Sequence, residues 1–261
     1  MVDGWIGAGV PDGPVVVPAA IAALAPFAAP VWRNQLGGIT FDAGERFLKW
    51  APAGSGLDLA AEETRLRWAS PFARVPEVLE VGADRDGTWI VTAALPGTNA
   101  VAERWKADPL RAVTALGAGL RMLHDALPVT TCPFTWSIAD RLARVDPARA
   151  GTPSSWHPDH RHLAAADAQR LLHDPPPVDD PVVCHGDSCA PNTLIGDDGR
   201  PTGHVDLGAL GIADRWADLA VATWSTTWNY GPRWESALLD AYGIEPDAER
   251  TRYYRLLWDL T

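Results

Sequence analysis

The sequence predicts an α+β protein with two lobes: an antiparallel sheet with one helix in the first lobe, and mainly helices in the second. Short β-like runs at 38–41 and 46–50 are separated by a turn. After the breaker Pro96-Gly97, apolar residues recur at helical spacing, most clearly over 109–127. A chain of 261 residues is long enough for two such lobes. We therefore expect an N-terminal lobe at 1–95 and a C-terminal lobe at 96–261.

Strand-like runs and the helical spacing of apolar residues locate the other elements in the same way. A helix is predicted from about Leu57 to Ala69, with Asp58 near its start, and a strand at Trp89–Ala93. His124, near the end of the 109–127 helix, is predicted to be a packed core histidine rather than a catalyst. The remaining predictions are a loop at 151–162, a strand, loop, hairpin and loop over 182–208, and helices at 214–227, 232–242 and 247–259.

Composition excludes several classes of protein. The net charge is −11, and residues 152–261 carry 17 acidic against 8 basic side chains, which disfavours nucleic acid as a partner. No apolar run approaches the length of a membrane span, and the chain has no basic, apolar start typical of a signal peptide. Three cysteines at no metal-ligand spacing fit a reducing compartment. We expect a soluble cytoplasmic protein, whose oligomeric state the sequence does not fix.

One segment carries most of the chemical information. His185-Gly186-Asp187-Ser188-Cys189-Ala190-Pro191-Asn192 is followed by Val205-Asp206-Leu207-Gly208. Phosphoryl transfer needs one carboxylate to accept the proton of the attacking hydroxyl, and an amide oxygen and a second carboxylate to hold magnesium. Asp187, Asn192 and Asp206 supply this set, with the five-residue step of the kinase catalytic loop. The alternative interpretation is an ordinary turn, since His, Gly, Asp, Pro and Asn are common turn residues.

A lysine upstream fits the same chemistry. Lys49 is one of only two lysines in the chain and lies in a predicted apolar strand. A lysine ammonium is a compact charge suited to phosphate oxygens, although a strand-edge lysine can also simply extend to solvent. Its expected carboxylate partner lies on the following helix, where Glu62 and Glu63 both satisfy the periodicity.

Taken together and in this order, these residues resemble the aminoglycoside 3′-phosphotransferase family, which has a protein-kinase-like fold. The resemblance spans roughly residues 31–261 and is strongest from Val183 to Ala220 and at the C-terminal end. It implies ATP (or GTP) and Mg²⁺ as cofactors, a nucleotide-binding first lobe, and a catalytic and substrate-binding second lobe.

The resemblance also implies a role for each matching residue of the nucleotide site. Lys49 would contact the α/β-phosphates, with Glu62 as its partner because it precedes Trp68 by six residues. Phe47 would stack on the adenine, and the Ala93 carbonyl and Leu95 amide would pair with its edge. Asp187 matches the catalytic aspartate, and Asn192 and Asp206 match the magnesium ligands.

On the substrate side the resemblance implies a cationic aminoglycoside and a set of five contacts. Several acids of the family are replaced here, by Ala190, Ser154, His157 and the pair Trp228 and Asn229, and Ala209 replaces an arginine. The residues expected to contact the substrate are Asp259, the C-terminal carboxylate of Thr261, Asp159, Trp228 and Asn229.

Three functions follow as hypotheses. The first is ATP-dependent O-phosphorylation of an aminoglycoside hydroxyl of the 3′ type, connected with antibiotic resistance. The second keeps the ATP and magnesium machinery but uses another small alcohol, which the replaced acids favour. The third is a metal-dependent hydrolase built from His185, Asp187, His204 and Asp206.

Overall fold

The computed structural model describes residues 8–261. The first seven residues, to which the expected absence of a signal peptide applies, lie outside the described part. The chain divides into two compact units, Met1–Leu95 and Pro96–Thr261. Unit 1 is built on an antiparallel sheet, and unit 2 is mainly helical with two small sheets. This is the α+β class that the sequence predicts.

Unit 1 contains a five-stranded antiparallel sheet of order β1-β2-β3-β5-β4. Its elements are α1 (Ala19–Leu24), β1 (Ala29–Arg33), β2 (Ile39–Asp42), β3 (Arg46–Pro52), α2 (Leu59–Ala69), β4 (Val78–Ala83) and β5 (Gly87–Ala93). The sequence predicts one helix here, whereas the structure has two. The additional helix, α1, has only six residues and is too short to show a period.

One face of this sheet is buried against α1. Leu48 of β3, Phe41 of β2 and Val91 of β5 form a core cluster with Ile21 of α1. Because side chains alternate along a strand, the neighbours of Leu48 in β3 point to the other face. This alternation places Phe47 and Lys49 on the same face, opposite the core cluster.

Unit 2 contains eight α-helices and five short strands within its described residues. Its elements are β6 (Thr98–Asn99), α3 (Glu103–Lys106), α4 (Pro109–Ala126), α5 (Ile138–Leu142), α6 (Pro147–Ala150), α7 (Ala165–Leu172), β7 (Pro181–Cys184), β8 (Thr193–Ile195), β9 (Pro201–His204), β10 (Gly211–Asp214), α8 (Trp216–Tyr230), α9 (Glu235–Tyr242) and α10 (Ala248–Leu260). The strands pair antiparallel as β10-β7 and β6-β8-β9.

The helices of unit 2 begin where the sequence places their caps. Asp108 accepts a hydrogen bond from the amide of Arg111 and precedes Pro109, the first residue of α4. Asp247 caps α10 in the same way through the amide of Arg250. The predicted helices at 109–127, 214–227, 232–242 and 247–259 are confirmed, with ends that differ by a few residues. In the described chain, no helix combines the length and the hydropathy needed to cross a bilayer.

Candidate active site

The loop after β7 is fixed to the first turn of α8 by one buried carboxylate. Asp218 accepts hydrogen bonds from the backbone amides of His185, at 2.6 Å, and Gly186, at 2.9 Å. The hydroxyl of Ser188 donates to the Asp218 carbonyl oxygen at 2.7 Å. Since β7 also pairs with β10, both ends of this turn are held by buried contacts. The loop therefore presents Asp187 on a rigid support.

His124 completes this support from α4. Its Nε2 lies 3.0 Å from Asp218 Oδ2, and its Nδ1 lies 2.9 Å from the hydroxyl of Tyr242. Burial raises the pKa of Asp218, but the hydrogen bond and charge of His124, together with His185 and the Gly186 amide, outweigh it and lower the pKa. His124 is thus a packed core histidine, as predicted.

Gly186 is required by the geometry of the loop. Its φ is +88°, in the left-handed region, and an added Cβ would lie 2.3 Å from the carbonyl oxygen of Ala209. A side chain there would push the 185–192 loop away from the residues that follow Asp206. The small residue therefore allows the two polar segments to approach each other closely.

Asn192 folds back onto Asp187 through a short 3-10 turn. The turn spans Ala190–Asn192, with Pro191 inside it. The amide nitrogen of Asn192 donates to the Asp187 backbone oxygen at 2.9 Å and to Asp187 Oδ2 at 3.2 Å. Because the nitrogen is used in this way, the amide oxygen is the Asn192 atom left to act as a cation ligand.

Asp206 provides the second carboxylate. It lies two residues after the end of β9 and has a φ of 63°, one of two positive values among the described residues other than glycine. Such a conformation costs roughly 1–3 kcal/mol and persists where the surrounding structure imposes it. Burial raises the pKa of Asp187, and the nearby charge of Asp206 raises it further. A bound divalent cation would relieve this repulsion, so the donor set of Asn192 and Asp206 fits Mg²⁺.

In unit 1, Lys49 is paired with the helix that follows its strand. Lys49 Nζ lies 2.7 Å from Glu62 Oε2, and the Glu62 side chain is only 9% exposed. Glu63 instead pairs with Arg67 at 2.9 Å on the outer face of α2. The alternative that the sequence left open is therefore decided in favour of Glu62.

The other residues expected around the nucleotide also lie in unit 1. Phe47 is half-buried and shares its sheet face with Lys49. Ala93 ends β5 and donates its amide to the Glu77 carbonyl oxygen at 2.9 Å. Leu95 is the last residue of the unit and is half-buried.

Near the 185–192 loop, the C-terminal half of α8 bears aromatic residues. Trp224 and Trp228 have ring centroids 5.0 Å apart, and Trp258 of α10 lies 6.0 and 5.5 Å from them. The His157 ring lies 4.2 Å from the ring of Trp224. We call His157, Trp224, Trp228 and Trp258 the aromatic cluster. Sequence reasoning named Trp228 alone as a contact, because the three elements of the cluster are distant in the chain.

The cluster connects to the loop through polar side chains. The amide nitrogen of Asn229 donates to the carbonyl oxygen and hydroxyl of Ser225, at 2.8 and 3.1 Å. The Ser225 hydroxyl in turn accepts the Ala190 amide at 2.8 Å. Asp159 accepts a hydrogen bond from Trp224 Nε1 at 2.9 Å, and its side chain is 60% exposed. Thr261 is exposed, and its hydroxyl accepts from Arg141 Nη2 at 3.2 Å.

Asp259 does not have the position expected of a substrate contact. Its side chain is fully buried, and its carboxylate pairs with Arg149 at 3.0 Å and with His160 Nδ1 at 2.7 Å. Both of its oxygens also accept the backbone amide of His157, at 3.1 and 2.9 Å. The prediction of a direct contact with the acceptor is therefore corrected, because these internal partners surround the carboxylate.

The four residues of the hydrolase hypothesis do not form a metal site. His185 Nε2 lies 3.0 Å from the Val205 carbonyl oxygen, and His204 Nε2 lies 3.1 Å from that of Gly119. Burial lowers the pKa of His204 to about 3, so the ring is neutral. Within residues 8–261, the one cluster with metal-ligating spacing is His124, Cys184 and Asp218. Its members are hydrogen-bonded in the core.

A cavity of about 560 Å³ lies beside α8, α9 and α10. Thr223, Glu235, Leu239 and Arg255 line it together with Asp159 and His160. Thr223 and the loop-contacting Ser225 are two positions apart, so they lie about 200° apart around α8. The cavity therefore meets a face of α8 other than the one that contacts the 185–192 loop, and Asp159 lies at its edge.

Comparison with known proteins gives consistent matches. The family model described as the phosphotransferase enzyme family matches residues 31–254. An aminoglycoside 3′-phosphotransferase of Streptomyces fradiae is 38% identical over 231 residues, 79% of this chain and 81% of its own. A streptomycin 3″-kinase of Streptomyces griseus is 36% identical over 252 residues, 88% and 91% of the two chains. An aminoglycoside phosphotransferase of Streptomyces rimosus, in complex with ADP and streptomycin, superposes with a TM-score of 0.68 at 30% identity, covering 89% and 92%.

Proposed function

The chain belongs to the phosphotransferase enzyme family, and we propose on this basis that it transfers the γ-phosphoryl group of ATP to a hydroxyl of an aminoglycoside. The observation that carries the proposal is the Asn192 amide, hydrogen-bonded to Asp187 beside Asp206. This arrangement unites a proton acceptor with two oxygen ligands for a cation. Two relatives, an aminoglycoside 3′-phosphotransferase at 38% identity and a streptomycin 3″-kinase at 36%, support the substrate class.

Asp187 is the proposed base. Its carboxylate orients the acceptor hydroxyl and takes its proton as the oxygen attacks the γ-phosphorus and the bond to the β-phosphate oxygen breaks. Its raised pKa makes it a better proton acceptor than an ordinary aspartate, while the hydrogen bond from Asn192 fixes its rotamer. The buried brace through Asp218 prevents the loop from shifting during the transfer.

The proposed nucleotide contacts of unit 1 are Lys49, Phe47, Ala93 and Leu95. Lys49 contacts the α/β-phosphates, held by Glu62 at 2.7 Å. Phe47 stacks on the base, and Ala93 and Leu95 pair with its edge through their backbone. In unit 2, Asn192 and Asp206 would hold Mg²⁺, which would supply positive charge that offsets the charge of the phosphates.

On the acceptor side, Asp159 is proposed to form an ion pair with an ammonium group of the acceptor, since its side chain is 60% exposed. Trp228, Asn229 and the C-terminal carboxylate of Thr261 are proposed as the other contacts. The 3′ hydroxyl of the aminoglycoside is the first candidate for the group that is phosphorylated. A 3″ hydroxyl, as in the name of the streptomycin kinase relative, is the second candidate, because that relative matches more of the chain.

A second function is favoured by one specific observation. Aromatic rings at His157 and Trp228 occupy positions where the resemblance leads us to expect acids, which reduces the charge available to a polycation. A kinase of another small alcohol, with the same ATP and magnesium machinery, would fit such a surface.

Turnover with purified protein tests the proposal. Phosphorylation of kanamycin, neomycin and streptomycin is measured with ATP and Mg²⁺, alongside a panel of neutral alcohols. We expect transfer to at least one aminoglycoside, and loss of at least about a hundredfold in kcat for Asp187→Ala. Transfer only to neutral alcohols would replace the first function by the second. Undiminished turnover by Asp187→Ala would contradict the assignment of the base.

A further inference from the structure

Asp259 lies in the last turn of α10, yet its carboxylate is directed into the protein. Its side chain is 0% exposed. It interacts with Arg149 of α6, and with His157 and His160 of the segment between α6 and α7. Arg149 Nε also donates to the Asp259 backbone oxygen at 2.9 Å. Both the main chain and the side chain of this residue are therefore used for internal contacts.

We propose that Asp259 is a positioning residue, which fixes the 156–163 segment so that the aromatic cluster and Asp159 form the acceptor-binding surface. This inference rests on the proposed function in one respect only, the identity of the acceptor. It assigns Asp259 no contact with the substrate.

The hydrogen bonds provide a continuous path from Asp259 to that surface. The His157 amide donates to Asp259, and the His157 ring packs at 4.2 Å from Trp224. His157 Nδ1 accepts the Asp159 amide at 3.2 Å, while Trp224 Nε1 donates to the Asp159 carboxylate at 2.9 Å. Asp159 is thus held from one side by His157, which Asp259 anchors, and from the other by Trp224 of α8.

His160 strengthens the same anchor. Its Nδ1 donates to Asp259 Oδ2 at 2.7 Å, and its ring lies 5.2 Å from that of Trp224. Trp156, also fully buried, donates its Nε1 to the Arg149 carbonyl oxygen at 2.7 Å. The segment is therefore packed on Trp224 from one side and tied to Asp259 from the other.

The arrangement defines an acceptor class. A carboxylate enclosed by Arg149 and His160 has its charge matched within the protein. Asp159 instead remains 60% exposed and accepts a hydrogen bond from Trp224, whose ring lies 5.0 Å from that of Trp228. Aromatic faces bind sugar C–H surfaces and cations. The surface suits a glycoside that presents one cationic group to Asp159 and an apolar ring face to the tryptophans.

The test is the Asp259→Asn variant, which keeps an oxygen for the His157 amide but removes the charge shared by Arg149 and His160. We expect the acceptor KM to rise about tenfold or more, with the KM for ATP unchanged. His160→Ala should give a similar rise, and the double variant should show little further loss, since both act through the same anchor. Asp240→Asn, an exposed aspartate on α9, is the matched control.

Comparison of acceptors separates positioning from direct contact. A positioning residue lowers kcat/KM for the deaminated analogue as well as for the aminated acceptor, because His157 and the rings packed on it shift together with Asp159. A loss confined to the aminated acceptor would overturn the proposal, as would an unchanged acceptor KM.

Hydrogen exchange tests the positioning role of Asp259 without an acceptor. Peptides covering 156–163 should exchange faster in Asp259→Asn, while those of β3 and α2 stay unchanged. If the wild type phosphorylates no aminoglycoside, the proposed function fails and this measurement still tests Asp259. Unaltered exchange in 156–163 would overturn the positioning role.

Discussion

The Asn192 amide nitrogen lies 2.9 Å from the backbone oxygen of Asp187 and 3.2 Å from its carboxylate, which makes the proposed metal ligand and the proposed base a single hydrogen-bonded unit. A change at either residue is therefore expected to alter both cation binding and proton transfer. The side-chain nitrogen of Asn192 is used for hydrogen bonds within the loop, so its side-chain oxygen is the atom available to a cation.

Removing Asn192 should raise the magnesium requirement of the enzyme. In Asn192→Ala the cation loses one ligand and Asp187 loses a donor, so we expect kcat at low Mg²⁺ to fall by about 10–100-fold. Raising Mg²⁺ should recover part of the loss, and a chelator should abolish activity in wild type and variant alike. Steady-state rates across a Mg²⁺ titration check this; an identical Mg²⁺ dependence in the two proteins would contradict the ligand role.

Glu62→Gln should weaken the use of ATP, whereas Glu63→Gln should not. Glu62 pairs with Lys49 at 9% side-chain exposure, and Glu63 pairs with Arg67 on the surface of the same helix. We expect kcat/KM for ATP to fall about 10–100-fold in the first variant. The second should change the free energy of unfolding by less than about 1 kcal/mol. Equal kinetic effects would remove the distinction between the two glutamates.

Asp218→Asn should reveal a pH-dependent contribution to stability. The pKa of Asp218 is lowered in the folded state, so its charge stabilises the fold above its unfolded pKa of about 4, and this stabilisation is lost as the pH falls through the folded pKa. Asp218→Asn breaks the buried pair of Asp218 with His124, which costs about 3–5 kcal/mol. Urea unfolding should show a constant difference between wild type and variant from pH 7 to 5, which shrinks only below about pH 4. A difference that already declines between pH 7 and 5 would point to another group.

Gly186→Ala should destabilise the protein more than Gly243→Ala. Both glycines have φ near +88°, so each alanine incurs a left-handed backbone cost of about 1 kcal/mol. Only at Gly186 does the new Cβ meet a backbone oxygen, that of Ala209 at 2.3 Å, and such overpacking adds about 1–3 kcal/mol. Thermal unfolding of the two variants measures the difference. Similar losses would show that the loop can shift to admit a side chain.

The sequence by itself determined the local chemistry and the helical part of the fold. Asp187 and Asn192 are five residues apart, so a single short turn brings them together through local contacts. Apolar spacing likewise predicts α4 and the three last helices, because period 3.6 is a property of the segment alone. The family that these motifs resemble is confirmed by the match over residues 31–254.

Only the tertiary structure decided the contacts between distant segments. Glu62 and Glu63 have equivalent spacing in α2, and only packing against β3 selects the first. Asp259 meets His157 and Arg149 across 102 and 110 residues of chain, so its burial leaves no local pattern. Periodicity reports which side of an element is apolar, whereas the choice of partner depends on how the elements pack together in space.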